Sequence, residues 1–203
     1  HGIRLNICHL IPLLSNTSLV AMSIDVKRAQ EISARIPHNF TLGVATSSWQ
    51  IEGSSSSRGK SIWDDFAETP GNVVDGATAD PACDHLNHIP EDLDLLSGLG
   101  ANAYRFSLSW PRVIPEGTGK ISRSGLGVYD RIVDGALERG LTPFATLYHW
   151  DLPSALQEKG GWLSPDSHQW FSEYAHVVGE HFADRVEHVA TLNEPWVSAF
   201  LGY

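Results

Sequence analysis

The stretch His188-Val-Ala-Thr-Leu-Asn-Glu-Pro-Trp196 decides how the rest of the chain is read. An apolar run of strand length, Val189 to Leu192, stops at an Asn-Glu pair. Pro195 then removes a ladder donor and biases Glu194 away from helical backbone. Glu194 is therefore expected at the C-terminal end of a strand, which in a barrel of alternating strands and helices is the end where catalytic side chains gather. Taken alone, a Glu before a Pro is equally well explained as a solvated carboxylate at a loop edge. Three earlier stretches of the same form bear on that choice.

Working outward, Thr142-Pro-Phe-Ala-Thr-Leu147 reads as a strand ending in Tyr148-His149-Trp150-Asp151-Leu-Pro153. Ala103-Tyr-Arg-Phe-Ser-Leu108 reads as another, ending in Ser109-Trp110-Pro111, and Thr41-Leu-Gly-Val-Ala-Thr46 as a buried strand ending in the polar and aromatic loop Ser47-Ser-Trp-Gln50-Ile-Glu52-Gly53. Between them, Ser61 is placed to cap a short helix through Phe66. Pro90 to Leu99 carries Pro at a helix start, acids in the first turn and Gly100 at the stop. A Pro/Gly-rich loop is expected over residues 111–125, then a helix from Leu126 to Arg139 closed by Gly140. A further helix is expected from Ser164-Pro165 to about Asp184. The fourth strand ends at Glu194, with its following helix missing.

Four repeats of strand, polar loop and helix argue for parallel strands joined by right-handed crossovers. A doubly wound sheet would want a Gly-rich phosphate loop after the first strand, and Thr46-Ser-Ser-Trp-Gln50 is not one. The expected fold class is α/β, the amino-terminal half (strands 1–4) of a (β/α)8 TIM barrel. Its strand ends carry Gln50, Trp110, His149, Trp150, Asn193 and Glu194.

Composition narrows the partners. The 203 residues include 14 Lys plus Arg against 24 Asp plus Glu, a net charge of -10, so no broad basic face is available to neutralise phosphates. Nucleic acid and anionic membrane surfaces are not expected partners, and no apolar run is long enough to span a bilayer. Seven Trp, five Tyr and seven Phe mostly suit core packing; those beside polar groups in loops suit carbohydrate, whose C–H faces lie on aromatic rings. Cys8 and Cys83 lie far apart without CxxC spacing, which suggests neither a disulfide framework nor a zinc site and points to a reducing, cytoplasmic setting. Cys83-Asp84-His85 with His88 does not match a common metal-ligand spacing. Residues 1–21 differ from the rest: Arg4 is their only formal charge, and Pro12, Ser15 and Asn16 interrupt what a secretory signal would need. An atypical extension is expected there, with the natural start at Met22 and one domain over residues 22–203.

With these stretches in view, the chain closely resembles the family 1 glycoside hydrolases, the β-glucosidase family, from about Pro37 to Tyr203. The resemblance is carried by Gly43-Val-Ala-Thr-Ser-Ser-Trp-Gln-Ile-Glu-Gly53, Tyr104-Arg-Phe-Ser-Leu-Ser-Trp-Pro-Arg112, Thr146-Leu-Tyr-His-Trp-Asp-Leu-Pro153 and Thr191-Leu-Asn-Glu-Pro-Trp196, all in order and each at an expected strand end. Leu42, Trp49 and His85-Leu-Asn-His88 depart from the family's usual residues. The resemblance implies a retaining mechanism on β-linked glucosides, with Glu194 as general acid/base. It implies Gln50, His149 and Asn193 as sugar ligands, Trp150 lining the pocket, and Arg105 steadying the nucleophile carboxylate. No metal or organic cofactor is implied.

A retaining enzyme needs a second carboxylate about 5 Å from the first. The family's Thr-Glu-Asn-Gly motif, which supplies it, does not occur here, and Glu52 does not occupy its place. The expectation is an amino-terminal part of an enzyme that carries half of the active site and is inactive alone. Two alternatives are a non-catalytic half-barrel that binds sugar and a half that needs a complementary chain. An open half-barrel leaves two strand edges unpaired, which disfavours the binding module. The DNA downstream of Tyr203 separates the three.

Overall fold

The computed structural model describes residues 25–202. The expectations for residues 1–21 and for a start at Met22 lie outside the described residues. The described residues divide into two units, one ending at Thr41 and one beginning at Leu42. In the first, helix α1 (Val26–Ser33) is capped by Asp25, whose side chain accepts from the Arg28 N–H at 3.1 Å.

The second unit runs β1 (Gly43–Ala45), α2 (Ser48–Ile51), α3 (Ile62–Glu68), α4 (Ile89–Gly98), β2 (Ala103–Ser107) and α5 (Trp110–Val113). It continues with α6 (Arg123–Glu138), β3 (Thr142–Tyr148), α7 (Ser154–Gln157), α8 (Ser167–Phe182), β4 (His188–Leu192) and α9 (Pro195–Phe200). The four strands form one sheet in the order β1-β2-β3-β4, with every neighbouring pair parallel. Ala45, the last residue of β1, is level with Arg105; Arg105 pairs with Phe144, and Phe144 with His188, the first residue of β4. Successive strands are thus staggered in one direction, as a sheet curling towards a barrel requires.

Period-two alternation in β2 sorts its side chains onto two faces. Tyr104 and Phe106, with Leu108 just beyond, join the buried cluster that includes Leu93 of α4, Ile132, Val133 and Ala136 of α6, and Tyr174, Val178 and Phe182 of α8. Arg105 and Ser107 alternate with them and bond to polar partners at the strand ends. Each fully buried aliphatic such as Leu93 contributes about 1.5–3 kcal/mol.

Several local expectations are corrected. Helix α6 starts at Arg123 rather than Leu126 because the Ser122 hydroxyl accepts the Gly125 N–H at 3.0 Å and so caps a helix whose first turns contain Gly125 and Gly127. Part of the expected 111–125 loop is the short helix α5, with Pro111 in its first turn. Helix α8 starts at Ser167, since the Ser164 carbonyl accepts the Ser167 N–H in a preceding turn. The loop after β1 contains the one-turn helix α2, and β1 itself spans only Gly43–Ala45 with its ends exposed. A helix does follow the fourth strand: Pro195, with its fixed φ and no N–H to satisfy, opens α9. Strand β4 is largely exposed, Val189 to 53%, because among the described residues nothing pairs with its outer edge. Among the described residues no helix is long and apolar enough to cross a membrane.

Candidate active site

The parallel sheet brings the strand C-termini to one edge, and the expected site residues follow from there. Gln50 rides on α2, directly after β1. Its Oε1 accepts from the Ser47 hydroxyl at 2.6 Å, and the side chain is otherwise exposed. Arg105 lies within β2 and reaches across β3: Nε donates to Thr146 Oγ1 at 2.8 Å and Nη2 to Asn193 Oδ1 at 2.8 Å. That donation leaves the Asn193 amide N–H groups for another acceptor.

His149 and Trp150 follow β3. Their rings lie 5.5 Å apart at 56°, and Trp150 Nε1 donates to the Asn193 carbonyl at 2.9 Å. Arg105, His149, Trp150 and Asn193 therefore form one group around Asn193. Burial, and then the charge of Arg105, push the His149 pKa down to about 4, so its imidazole is neutral at pH 7. Its Nδ1 is buried without a hydrogen-bond partner among the described residues.

Asn193 extends the ladder by one bond, its N–H donating to the Tyr148 carbonyl at 2.9 Å. Glu194 then turns into left-handed backbone at φ 44, and Trp150 does the same at φ 76. Two bulky residues in this sparsely populated region mark local strain of the kind found at functional sites. The Glu194 side chain is exposed and makes no hydrogen bond among the described residues. Gln50 and Glu194 thus share the sheet edge with the Asn193 group but touch none of its members through a side-chain hydrogen bond. Trp150 also lines a cavity of about 560 Å³ with Ile62, Trp63, Phe66, Tyr148 and Val197.

Beneath these side chains lies a buried polar layer that the strand-end motifs did not reveal. Glu52 accepts from Arg112 Nε at 2.9 Å and from the Tyr129 hydroxyl at 2.8 Å. Asp64 binds Arg58, and its oxygens also accept from the Ser61 N–H, at 2.7 Å, and from Trp49 Nε1, at 3.0 Å. Burial pushes Asp64 upward, but the bond to Arg58 and its charge win and hold the pKa at about 2. Asp151, fully buried, accepts from the Ser48 hydroxyl at 2.9 Å. The signal that could have found this layer is modest: each acid sits within three residues of a tryptophan, Trp49, Trp63 or Trp150, and serines recur opposite them.

Fold and edge together define an α/β protein built as part of a (β/α)8 barrel, with its polar groups gathered where the strands end. The chain belongs to glycosyl hydrolase family 1, whose family model matches residues 32–203. It is 55% identical over 171 residues to a 1,4-beta-D-glucan glucohydrolase of Thermotoga neapolitana, covering 83% of this chain and 40% of that protein. Beta-glucosidase A of Thermotoga maritima is 54% identical over a similar span, 38% of its length. The solved beta-glucosidase from Thermotoga maritima in complex with castanospermine superposes with a TM-score of 0.80 at 55% identity, again over 83% of this chain and 39% of that one. The chain thus spans about two fifths of the length of the relatives it matches.

Proposed function

We propose that this chain is the amino-terminal part of a retaining β-glucosidase, acting on terminal β-D-glucosyl residues, with Glu194 as its general acid/base. One observation carries the reading. Of the acids at the sheet edge, Glu52, Asp64 and Asp151 are committed to Arg112, Arg58 and Ser48, whereas Glu194 holds its carboxyl outward with no hydrogen-bond partner among the described residues.

In this reading Glu194 donates its proton to the leaving oxygen as the glycosidic bond breaks, then takes a proton from the water that releases the sugar. The second carboxylate, the nucleophile, comes from outside residues 25–202. Asn193, its Oδ1 held by Arg105, directs N–H groups to the 2-hydroxyl, where hydrogen bonds strengthen in the oxocarbenium-like transition state. Neutral His149 and the Gln50 amide take further hydroxyls, and Trp150 offers its ring to the sugar. Arg105 has Nη1 left to steady the nucleophile.

Support comes from the relatives, since curated proteins similar to this chain are named beta-glucosidases and one neighbour was solved with deoxynojirimycin. The test is an assay of the completed reading frame on aryl β-glucosides. Glu194→Gln is expected to lower kcat at least about 100-fold for poor leaving groups, general acid catalysis being worth that much. The isolated 203-residue chain is expected to show no turnover. An unchanged kcat of the completed enzyme for poor leaving groups in Glu194→Gln would remove Glu194 from the mechanism.

A further inference from the structure

Asp151 has no role in the mechanism above, yet it is among the most enclosed polar residues of the molecule, with 0% of its surface exposed. It directly follows Trp150, whose φ of 76 needs support from its surroundings. Its Oδ2 accepts from the Ser48 hydroxyl at 2.9 Å, across 103 residues of chain. Ser48 is fixed from β2 as well: its N–H donates to the Ser107 hydroxyl at 2.8 Å, and that hydroxyl donates back to Ser48 Oγ at 3.2 Å. Ser48 opens α2, the single turn that carries Gln50, and the neighbouring Ser47 hydroxyl holds Gln50 Oε1. An unbroken path therefore runs from Gln50 through Ser47 and Ser48 to Asp151, and along the backbone to Trp150 and His149.

We propose that Asp151 is a positioning residue: through Ser48 it holds the turn bearing Gln50 and the segment bearing His149 and Trp150 at one spacing, so that these side chains meet one sugar together. The inference rests on the glucoside reading for the identity of the sugar, but not for the link itself. A charge-free peg would also fill the space. The acid brings in addition a second oxygen, Oδ1, buried without a partner among the described residues. The charged and titratable groups facing Asp151 are Glu52 after α2, Arg58 before α3 and Tyr174 on α8. Burial raises the Asp151 pKa to about 7 against the Ser48 hydrogen bond, so the peg changes charge near neutral pH.

The test is NMR on the 203-residue chain, following the Gln50 side-chain amide, the Trp150 indole N–H and the His149 ring as pH is varied. In the wild-type chain the Gln50 and Trp150 signals are expected to share a midpoint near 7, distinct from that of His149 itself near 4. In Asp151→Asn both lose the shared midpoint while His149 keeps its own. In Ser48→Ala, which leaves the buried acid in place, Gln50 loses the midpoint and Trp150 retains it. A Gln50 signal without that midpoint in the wild type, or one that keeps it in Ser48→Ala, overturns the proposal; this holds even if Asp151→Asn fails to fold. Deoxynojirimycin is added last, to the protein of the completed reading frame. A shared midpoint in the 203-residue chain without any deoxynojirimycin shift at His149 or Asn193 of the completed protein upholds the link and counts against the glucoside reading alone.

Discussion

Replacing Arg112 by Ala should be among the most damaging single changes to the fold, although Arg112 lies outside the expected sugar-facing set. Arg112 is 1% exposed and Glu52 4%. The guanidinium donates from Nε to Glu52 Oε2 at 2.9 Å, from Nη1 to Ser57 Oγ at 2.7 Å and from Nη2 to the Gly53 carbonyl at 3.3 Å. Glu52 Oε1 accepts the Tyr129 hydroxyl, which itself accepts the Ser109 N–H at 2.7 Å. Removing Arg112 leaves the carboxylate buried with one hydroxyl and no counter-charge, which costs about 3–5 kcal/mol. Against a total stability of about 5–15 kcal/mol, that is a large share. With a urea slope of about 2 kcal/mol per molar, the unfolding midpoint should fall by about 2 M. The pair Glu52→Gln with Arg112→Met removes both charges and should lose clearly less than the two single changes summed, since replacing a buried pair costs less than orphaning one partner. An Arg112→Ala midpoint within about 0.3 M of wild type, or a double variant equal to the sum of the singles, would refute the reasoning.

Three other outcomes are expected. Trp110 is fully buried, stacks on Tyr174 at 4.7 Å and donates from Nε1 to the Gly117 carbonyl at 2.9 Å, so Trp110→Ala should cost about 3–5 kcal/mol in thermal unfolding. His149 should stay neutral down to about pH 4 in an NMR titration, and Arg105→Ala should raise that midpoint without restoring the ordinary 6.5, because burial remains. Asp151 is an acid whose pKa is raised in the fold from 3.8 to about 7, so between those values the folded chain holds a proton that the unfolded chain has released. Its contribution therefore makes stability fall as pH rises through that window and level off above it, by a total on the order of 4 kcal/mol. Urea midpoints at pH 5 and pH 8 should show Asp151→Asn losing that slope.

The strands were legible because their signals are local: each apolar run is short and stops at a polar pair, as at Leu192-Asn193-Glu194. Helix α4 was legible for the same reason, with Pro90, Glu91 and Asp92 at one end and Gly100 at the other. The start of α6 was not, because Gly125 and Gly127 read as loop until the Ser122 cap is seen; moreover, a Cβ on Gly125 would fall 1.9 Å from the Arg112 carbonyl oxygen, so packing requires glycine there. The pairing of Arg105 with Asn193 spans 88 residues and depends on the stagger that sets β4 forward of β2, which no spacing along the chain encodes. The exposure of β4 was hidden as well, since Val189 and Leu192 have the composition of a buried strand whichever neighbours it has.

The acids at the sheet edge divide by surroundings rather than by residue type. Glu52, Asp64 and Asp151 lie within a few residues of motif aromatics, and any of them could pass in sequence for a catalytic carboxylate. Arg58 holds Asp64 ionised, with a pKa of about 2, which removes it as a proton donor at neutral pH. Glu52 has both oxygens engaged, by Arg112 and Tyr129. Asp151 could exchange a proton near neutrality, but it has no exposed surface through which a glycosidic oxygen could reach it. Glu194 alone among the four combines exposure with an unengaged carboxyl, on a left-handed backbone immediately before Pro195 and α9. A retaining reaction needs two accessible carboxylates about 5 Å apart, and the described residues offer one at this edge. The reading therefore stands or falls on a second carboxylate supplied by chain outside residues 25–202 and brought to Arg105.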